Sequence, residues 1–197
     1  DSNLEFDHPD FQNEDGTTRV LALWDHNQEE EDPARVPEPY GYGQEYTSED
    51  INLGITNHDP STWGGHGSTV AGVACGNGNA TGTFLGVAPE ADIVVVASNF
   101  SLLNWKASIA DAVDFIFQKA QDMGKPAVIN ASLGDYYGSH DGLDAAALFI
   151  DELLEEQPGR VMVSAAGNSN AFDPYHLSYD VPETDTAFTW FSYNSNS

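Results

Sequence analysis

The stretch Gly64-Gly65-His66-Gly67-Ser68-Thr69-Val70-Ala71-Gly72 carries more information about this chain than any other. It places a histidine among small residues at the end of a glycine-rich loop, and an apolar helix is predicted to follow. Small neighbours let other backbone segments approach an imidazole closely. This arrangement favours a positioned general base over a core histidine, although a single Gly-His-Gly is weak evidence by itself.

The charge balance limits the partners that this chain is expected to bind. Its 197 residues include 32 Asp and Glu against 6 Lys and Arg, which gives a formal net charge of −26. Nucleic acid is excluded as an expected partner because phosphate binding needs basic patches. The acids are spread along the whole chain, which predicts a solvated surface suited to high salt, where screening removes self-repulsion. A halophilic source is the first interpretation, and a group of calcium sites is the alternative.

The length and composition are those of one α/β domain with a sizeable core. No stretch approaches the roughly 18 consecutive apolar residues of a membrane span. No signal peptide is visible in the given sequence, which opens with Asp1-Ser2-Asn3. The single cysteine, Cys75, excludes an internal disulfide and is interpreted as an inert buried thiol.

Short apolar runs alternate with amphipathic stretches, which predicts βαβ units and a mainly parallel sheet flanked by helices. An acidic stretch rich in proline and glycine, residues 25–46, is predicted to be a surface insertion. Residues 171–197 change to alternating aromatic and polar residues and are predicted to begin an inserted β element. The strands are predicted at 19–24, 92–97, 127–131 and 161–166, and the helices at 48–53, from His66 onward, at 103–123 and at 143–154.

Three segments carry the residue types that acyl transfer needs. Asp1 precedes the sequence His8-Pro9-Asp10-Phe11, His66 begins the predicted helix, and Asn168 follows a predicted buried strand. A carboxylate can fix the tautomer of a histidine, the histidine can take a proton from a nucleophile, and an amide can donate to an oxyanion. In doubly wound sheets such groups gather at the carboxyl ends of the strands.

Five motifs, in this order, make the chain resemble the subtilisin-like serine proteases, or subtilases. They cover about residues 1–170 and are together highly specific. The segments Tyr46–Asn52 and Tyr137–Gly142 further resemble the bacterial branch that includes the Csp germination proteases. The five motifs are Asp1-Ser2 with His8-Pro9-Asp10-Phe11, Gly65–Gly72, Gly86-Val87-Ala88-Pro89, Asn130-Ala131-Ser132-Leu133-Gly134 and Ala165-Ala166-Gly167-Asn168.

The resemblance implies a three-layer subtilase fold and a serine endopeptidase that cleaves peptide or protein substrates through an acyl-enzyme. Asp1 would orient the imidazole, His66 would act as general base and then as general acid, and Asn168 would donate to the oxyanion. The substrate backbone would pair as an added strand with Ser132, Leu133 and Gly134. The opposite wall of the cleft would be formed by Ala165, Ala166 and Gly167.

The resemblance also bears on ions, partners and location. It implies no required cofactor, with calcium as an optional structural ion at Asp10, although the loop 76–82 supplies no obvious ligand set. A zinc-type hydrolase built on His66 is a weaker alternative, because no paired-histidine spacing occurs. His140 is interpreted as an exposed loop residue or a substrate contact. The family expectation places the protein outside the cell or in its envelope, with a prodomain or the remainder of the parent chain as a partner.

The chain departs from the family pattern in ways that limit the expected activity. Asn3 stands where glycine is usual, which is tolerable because asparagine accepts left-handed backbone better than most residues. The spacing between Asp1 and His66 is longer than in compact members. The nucleophile motif Gly-Thr-Ser is absent, as is the strand that should precede the aspartate. We therefore expect a partial catalytic domain at residues 1–170, incomplete at both ends and inactive alone. A non-catalytic pseudoprotease that binds or activates a partner is the alternative.

Overall fold

The computed structural model describes residues 1–28, 32–135, 140–168 and 186, without the side chains of Thr62 and Trp63. The chain divides into two compact units, residues 1–165 and 166–197. The predicted domain boundary at 170 and nearly all of the predicted β element at 171–197 lie outside the described residues. So do residues 29–31 of the predicted insertion and part of the loop Tyr137–Gly142.

Strands and helices alternate along the first unit, as the sequence predicts for an α/β fold. None of the helices in the described ranges has the length and hydropathy needed to cross a bilayer. The elements are β1 Val20–Asp25, β2 Gln44–Thr47, α1 Ser48–Asn52, α2 His66–Cys75, β3 Ile93–Ala97, α3 Trp105–Asp122, β4 Ala127–Ala131, α4 Ala145–Glu155 and β5 Arg160–Ser164.

The described strands form two sheets with mainly parallel pairing. In the first sheet β1 lies in the middle, parallel to β3 and antiparallel to β2. In the second sheet β4 and β5 are parallel neighbours. The carboxyl ends of β1 and β3 therefore meet at one edge, as do those of β4 and β5, and loops at such edges are where α/β folds place ligands.

Strand β2 corrects part of the sequence interpretation. The predicted surface insertion at residues 25–46 is wrong at both ends. Asp25 ends β1 and is buried together with His26, and Gln44 and Tyr46 are buried on the inner face of β2. The Gln44 amide is satisfied because its Nε2 donates to the carbonyl oxygens of Asp32 and Gly43. A strand of four residues with a polar residue facing inward is too short for its periodicity to be recognised.

The first sheet is covered on both faces, which gives the three layers expected for parallel strands. The N-terminal segment, α1 and α2 pack on one face, and α3 packs on the other. The first face buries Leu4, Phe11, Val20, Leu23, Tyr46, Ile51 and Ile93, with Ala71 and Cys75 of α2 against them. The second face buries Ala22, Trp24, Val96, Ala112 and Phe115.

The second sheet is covered on one face among the described residues. Helices α3 and α4 bury that face through Val113, Phe117, Ile129 and Leu153. The side chains of the other face, Val128, Val161 and Val163, are exposed by 72%, 47% and 52%. Because α3 packs against both β3 and β4, this helix joins the two sheets.

His26 directly follows β1, and its imidazole is buried. It is 5% exposed, and its ring packs against Trp24 and Tyr42 with centroid distances of 4.1 Å and 5.0 Å. Neither ring nitrogen has a hydrogen-bond partner in the described part of the chain. Burial lowers the pKa of His26 to about 4, against the opposing charge of Asp25. The folded protein therefore holds this imidazole neutral at neutral pH.

The stability of the fold should fall as the pH decreases from 6.5, the ordinary pKa of histidine, to about 4. In this window unfolded His26 takes up a proton that the folded protein does not bind, so unfolding becomes more favourable. The lowered pKa corresponds to on the order of 3 kcal/mol. His26→Phe keeps an aromatic ring in the cluster and should remove this part of the pH dependence.

Urea denaturation of both proteins at neutral and mildly acidic pH measures the difference. Identical losses of stability in the wild type and in His26→Phe would show that His26 does not titrate in this way.

Candidate active site

Asp1 and His66 form a hydrogen-bonded pair at the start of α2. The distance from His66 Nδ1 to Asp1 Oδ2 is 2.8 Å. The other carboxylate oxygen, Oδ1, accepts hydrogen bonds from the Ser2 backbone N–H at 2.7 Å and from the Ser2 hydroxyl at 3.3 Å. Because the carboxylate accepts the Nδ1 proton, Nε2 carries the lone pair of the ring. A half-exposed imidazole held in this tautomer has the orientation that a general base needs.

The glycine-rich loop explains why His66 lies at the first position of α2. Gly64 and Gly65 adopt left-handed backbone with φ of 66° and 76°, a region that glycine occupies without steric cost. Gly65 is the N-cap of α2 and lacks a side chain that could cap the helix. The two glycines thus turn the chain sharply and deliver His66 to the helix N-terminus.

Asn3 and Gly67 make the closest backbone contact of the site. The Gly67 N–H donates to Asn3 Oδ1 at 2.9 Å, and the Asn3 amide donates to the Pro60 carbonyl. A Cβ atom on Gly67 would lie 2.0 Å from the Asn3 carbonyl oxygen. Asn3 has no positive φ, so tolerance of left-handed backbone is not the reason for asparagine here. Its side chain instead joins the aspartate segment to α2.

The segment that follows Asp1 is held at nearly every residue. The Asp1 carbonyl accepts from the Ser98 N–H at 2.7 Å, which connects it to the end of β3. The Leu4 N–H donates to His58 Nε2 at 3.1 Å, and the Glu5 N–H donates to Ser68 Oγ at 2.8 Å. The aspartate is therefore positioned by contacts to β3, to α2 and to the loop before α2.

The predicted cleft residues of the first unit lie at the carboxyl ends of β4 and β5. Ser132, Leu133 and Gly134 directly follow β4, and the Asn130 amide donates to Ser132 Oγ at 3.0 Å. Ala165 directly follows β5, and its N–H donates to the Ala131 carbonyl at 3.1 Å. Gly134 is exposed, and the substrate pairing that the resemblance gives to these residues stays a prediction.

Ala166, Gly167 and Asn168 belong to the second unit. All three are exposed. Gly167 has a φ of 88°, which strains any residue with a side chain. The roles that the resemblance gives to these three residues stay predictions.

Asp10 anchors the loop that follows α2. Its Oδ1 accepts from the Ala80 N–H at 2.8 Å, and its carbonyl accepts from the Asn77 N–H and from the Arg19 guanidinium. Groups that donate hydrogen bonds suit a carboxylate but do not suit a cation. In the described residues no cluster of three His, Cys, Asp or Glu side chains could hold a metal ion. A calcium ion at Asp10 therefore gains no further carboxylate ligand from these contacts.

His140 is exposed in a loop with a φ of 57°. Cys75 is half-buried in α2, where its thiol lies 3.3 Å from the Ala71 carbonyl. Burial raises the pKa of this thiol, although the nearby Arg19 opposes the effect. A thiol with a raised pKa is a poor nucleophile, which fits the interpretation of Cys75 as inert.

A second Asp–His pair, Asp25 and His58, is one that the sequence motifs do not predict. The distance from His58 Nδ1 to Asp25 Oδ2 is 2.6 Å, and both side chains are 1% exposed. Asp25 ends β1 and His58 lies in the loop before α2, so they are far apart in sequence and neither belongs to a family motif. An acidic residue at the end of a buried strand was the only available signal.

Comparisons with known proteins agree on one family. Residues 1–191 match the family model Peptidase_S8, described as the subtilase family. A solved structure, the CspB protease of Clostridium perfringens, is 27% identical and has a TM-score of 0.68. The similarity covers 86% of this chain and 34% of that chain, so the present chain spans about a third of the length of that structure. No curated protein matches the chain.

Gly67→Ala should destabilise the protein, because its methyl group would overlap the Asn3 carbonyl, which is backbone and cannot rotate away. Overpacking of this kind typically costs about 1–3 kcal/mol. Gly72→Ala on the same helix is the matched control, since a Cβ there meets nothing within 4 Å. It should be neutral or stabilise the helix by up to about 1 kcal/mol.

Urea denaturation of both variants measures the difference in unfolding free energy. Equal stabilities for Gly67→Ala and Gly72→Ala would refute the close contact between Asn3 and Gly67.

Proposed function

The chain belongs to the subtilase family, and from that premise we propose that it supplies the histidine base of a serine-type endopeptidase. The observation that carries the proposal is the 2.8 Å hydrogen bond between Asp1 and His66 Nδ1. It sets the tautomer in which Nε2 can accept a proton. The half-exposed ring can meet a nucleophile that approaches from solvent, unlike a histidine enclosed in the core.

In the proposed reaction His66 acts in turn as general base and as general acid. Nε2 takes the proton of a serine hydroxyl as the serine oxygen attacks the substrate carbonyl, and Asp1 stabilises the imidazolium that forms. Asn168 would donate a hydrogen bond to the oxyanion. His66 then returns the proton to the leaving amine, which breaks the peptide bond and leaves an acyl-enzyme. Water then attacks the acyl-enzyme while His66 takes its proton, and His66 gives that proton to the serine oxygen as the ester bond breaks and the acid product leaves.

Substrate binding is proposed at the carboxyl ends of β4 and β5. The backbone of Ser132, Leu133 and Gly134 would pair with an extended peptide as an added strand, and Ala165, Ala166 and Gly167 would form the opposite wall. This arrangement accepts peptide or protein substrates because it relies on main-chain pairing.

The nucleophile is the part of the mechanism that these residues do not supply in the family's setting. The tripeptide Gly-Thr-Ser does not occur among the 197 residues. The proposal therefore concerns the protein at its natural full length. A pseudoprotease that binds a partner without cleaving it is the competing outcome of the experiment below.

Asp1→Asn should abolish most of the hydrolysis, because an amide donates to Nδ1 and favours the tautomer whose Nε2 is already protonated. In a serine protease triad this change lowers kcat by about 10⁴-fold. Asp7→Asn is the matched control, since Asp7 is an exposed carboxylate of the same segment. Hydrolysis of a fluorescent peptide and labelling by an active-site phosphonate are measured on the full-length protein.

Wild-type protein that neither hydrolyses peptides nor reacts with the phosphonate would overturn the peptidase proposal in favour of the pseudoprotease. Equal activities of Asp1→Asn and Asp7→Asn would overturn the role of Asp1.

We also propose that the protein works outside the cell or in its envelope, in high salt. All six basic side chains are already engaged. Arg19 donates to the carbonyls of Asp10, Cys75 and Ala91. The other five form ion pairs: Arg35 with Asp32 and Asp50, Lys106 with Asp135, Lys119 with Glu45, Lys125 with Asp92, and Arg160 with Glu156. The remaining Asp and Glu carboxylates have no basic side chains to balance them and repel one another.

Raising the KCl concentration from about 0.1 M to about 1 M shortens the Debye length from about 10 Å to about 3 Å. The melting temperature should therefore rise with KCl. A triple variant, Glu14→Gln, Glu90→Gln and Glu155→Gln, neutralises three exposed carboxylates. It should melt higher than the wild type at low salt and gain less from KCl. A wild type that melts highest at low salt would refute the high-salt proposal.

Calcium, a prodomain and the remainder of a longer parent chain are proposed as accessory partners only. The Asp10 contacts support an anchoring role for its carboxylate, and no step of the proposed reaction depends on an ion there.

A further inference from the structure

The buried pair Asp25–His58 contacts the segment that follows Asp1, through the hydrogen bond from Leu4 N–H to His58. Asp25 Oδ2 is 2.6 Å from His58 Nδ1, and Asp25 Oδ1 accepts from the backbone N–H of Asn27 at 2.8 Å and from its amide at 3.0 Å. Burial acts to raise the pKa of Asp25, but the hydrogen bonds from His58 and Asn27 outweigh it and lower that pKa. Asp25 is therefore a carboxylate that accepts hydrogen bonds on both oxygens.

The other ring nitrogen of His58 decides what this pair does. His58 Nε2 is 3.1 Å from the Leu4 backbone nitrogen, and a backbone N–H can only donate. Nε2 must therefore accept, and the single ring proton must lie on Nδ1 and point to Asp25. The carboxylate of Asp25 fixes this tautomer because it accepts the Nδ1 proton. A hydrogen bond at one ring nitrogen fixes the tautomer of metal-binding and catalytic histidines in the same way.

The hydrogen bond between His58 and Leu4 is linked to the Asp1–His66 pair through the backbone. Leu4 N belongs to the peptide bond whose carbonyl is that of Asn3, and that carbonyl is the group that lies against Gly67. The Asn3 side chain also accepts from the Gly67 N–H. A shift of the Asn3–Leu4 peptide therefore moves Asp1 on one side and the first turn of α2, with His66, on the other.

We infer that Asp25 and His58 are positioning residues that hold the Asn3–Leu4 peptide and thereby align Asp1 with His66. This inference rests on the proposed function for its effect on catalysis, but its structural part stands on the contacts alone. His58 presents a fixed acceptor to Leu4 N–H, and Asp25 keeps that acceptor from becoming a donor. Neither side chain is accessible to a substrate, since both are 1% exposed.

Four variants separate the acceptor from the rest of the side chain. His58→Gln places an amide oxygen near the position of Nε2 and keeps an acceptor for Leu4 N–H. His58→Asn keeps a donor to Asp25 but withdraws the acceptor. Asp25→Asn can donate to Nδ1 and so favours a proton on Nε2, opposite the Leu4 N–H. Asp25→Asn combined with His58→Gln tests whether Asp25 acts through the histidine.

The hydrolytic assay measures kcat and KM of the full-length protein. Misplacement of a catalytic group by about 1 Å costs about 100-fold in rate, so His58→Asn and Asp25→Asn should lower kcat by about 10- to 100-fold with little change in KM. His58→Gln should keep most of the wild-type kcat. The double variant should resemble His58→Gln, because Asp25 has no tautomer to fix when the histidine is gone.

A second measurement reports on the catalytic pair without hydrolysis. In full-length protein labelled with ¹⁵N-histidine, the His66 Nδ1 proton hydrogen-bonded to Asp1 gives a downfield NMR signal. This signal should weaken or move upfield in His58→Asn and Asp25→Asn and should persist in His58→Gln. Urea denaturation accompanies each variant, so that a general loss of stability is recognised.

The outcomes distinguish this inference from the proposed function. If the protein does not hydrolyse peptides but the NMR signal follows the expected pattern, the inference holds and the peptidase proposal fails. If wild-type activity is present and His58→Asn and Asp25→Asn match it, or if His58→Gln is as impaired as His58→Asn, the inference is wrong. If the His58 variants do not fold, Asp25→Asn, which has the same size as the wild-type residue, decides by itself.

Discussion

The close contact between Asn3 and Gly67 is the constraint on which the rest of the site depends. The backbone oxygen of Asn3 occupies the space that a side chain on residue 67 would need. Only glycine allows α2 to approach the aspartate segment so closely, and the approach brings His66 within 2.8 Å of Asp1. Asn3 then uses both ends of its amide, one to Gly67 N–H and one to the Pro60 carbonyl. Gly67 therefore permits the close approach, and Asn3 holds it with hydrogen bonds.

The sequence predicts the local parts of this arrangement well and the long-range parts poorly. The Gly64-Gly65-His66 stretch predicts a turn into a helix, because positive φ and a helix start are local properties of the backbone. Strand β4 lies where the sequence places it, at Ala127–Ala131, since a short apolar run between a glycine–proline stop and polar residues has few alternatives. The position of Asp1 relative to His66 was available only through the family resemblance.

What the sequence misses are features that become visible only when distant segments meet. Strand β2 is too short to show an alternation of apolar and polar residues. A glutamine such as Gln44 is typical of a loop in sequence, and its burial is explained only by the carbonyls of Asp32 and Gly43 that accept from its amide. Asp25 and His58 also give no signal in the sequence. Each is an ordinary polar residue, and only the folded chain brings His58 Nδ1 within 2.6 Å of Asp25 Oδ2. Asn3 departs from the family pattern, but its side chain serves contacts to Gly67 and Pro60 that its backbone preference does not reveal.

The described residues thus contain two Asp–His pairs of nearly the same geometry, and the surroundings of Nε2 suit them to different roles. In the Asp1–His66 pair the imidazole side chain is 51% exposed, so a proton can pass between Nε2 and a group that approaches from solvent. In the Asp25–His58 pair Nε2 faces the backbone N–H of Leu4, which cannot accept a proton. Protonating that nitrogen would set two donors against each other in a buried site and would leave the Leu4 N–H unpaired. The buried pair therefore presents a fixed acceptor to the Leu4 N–H, which suits positioning, while the exposed pair leaves Nε2 open to solvent, which suits the proposed catalysis.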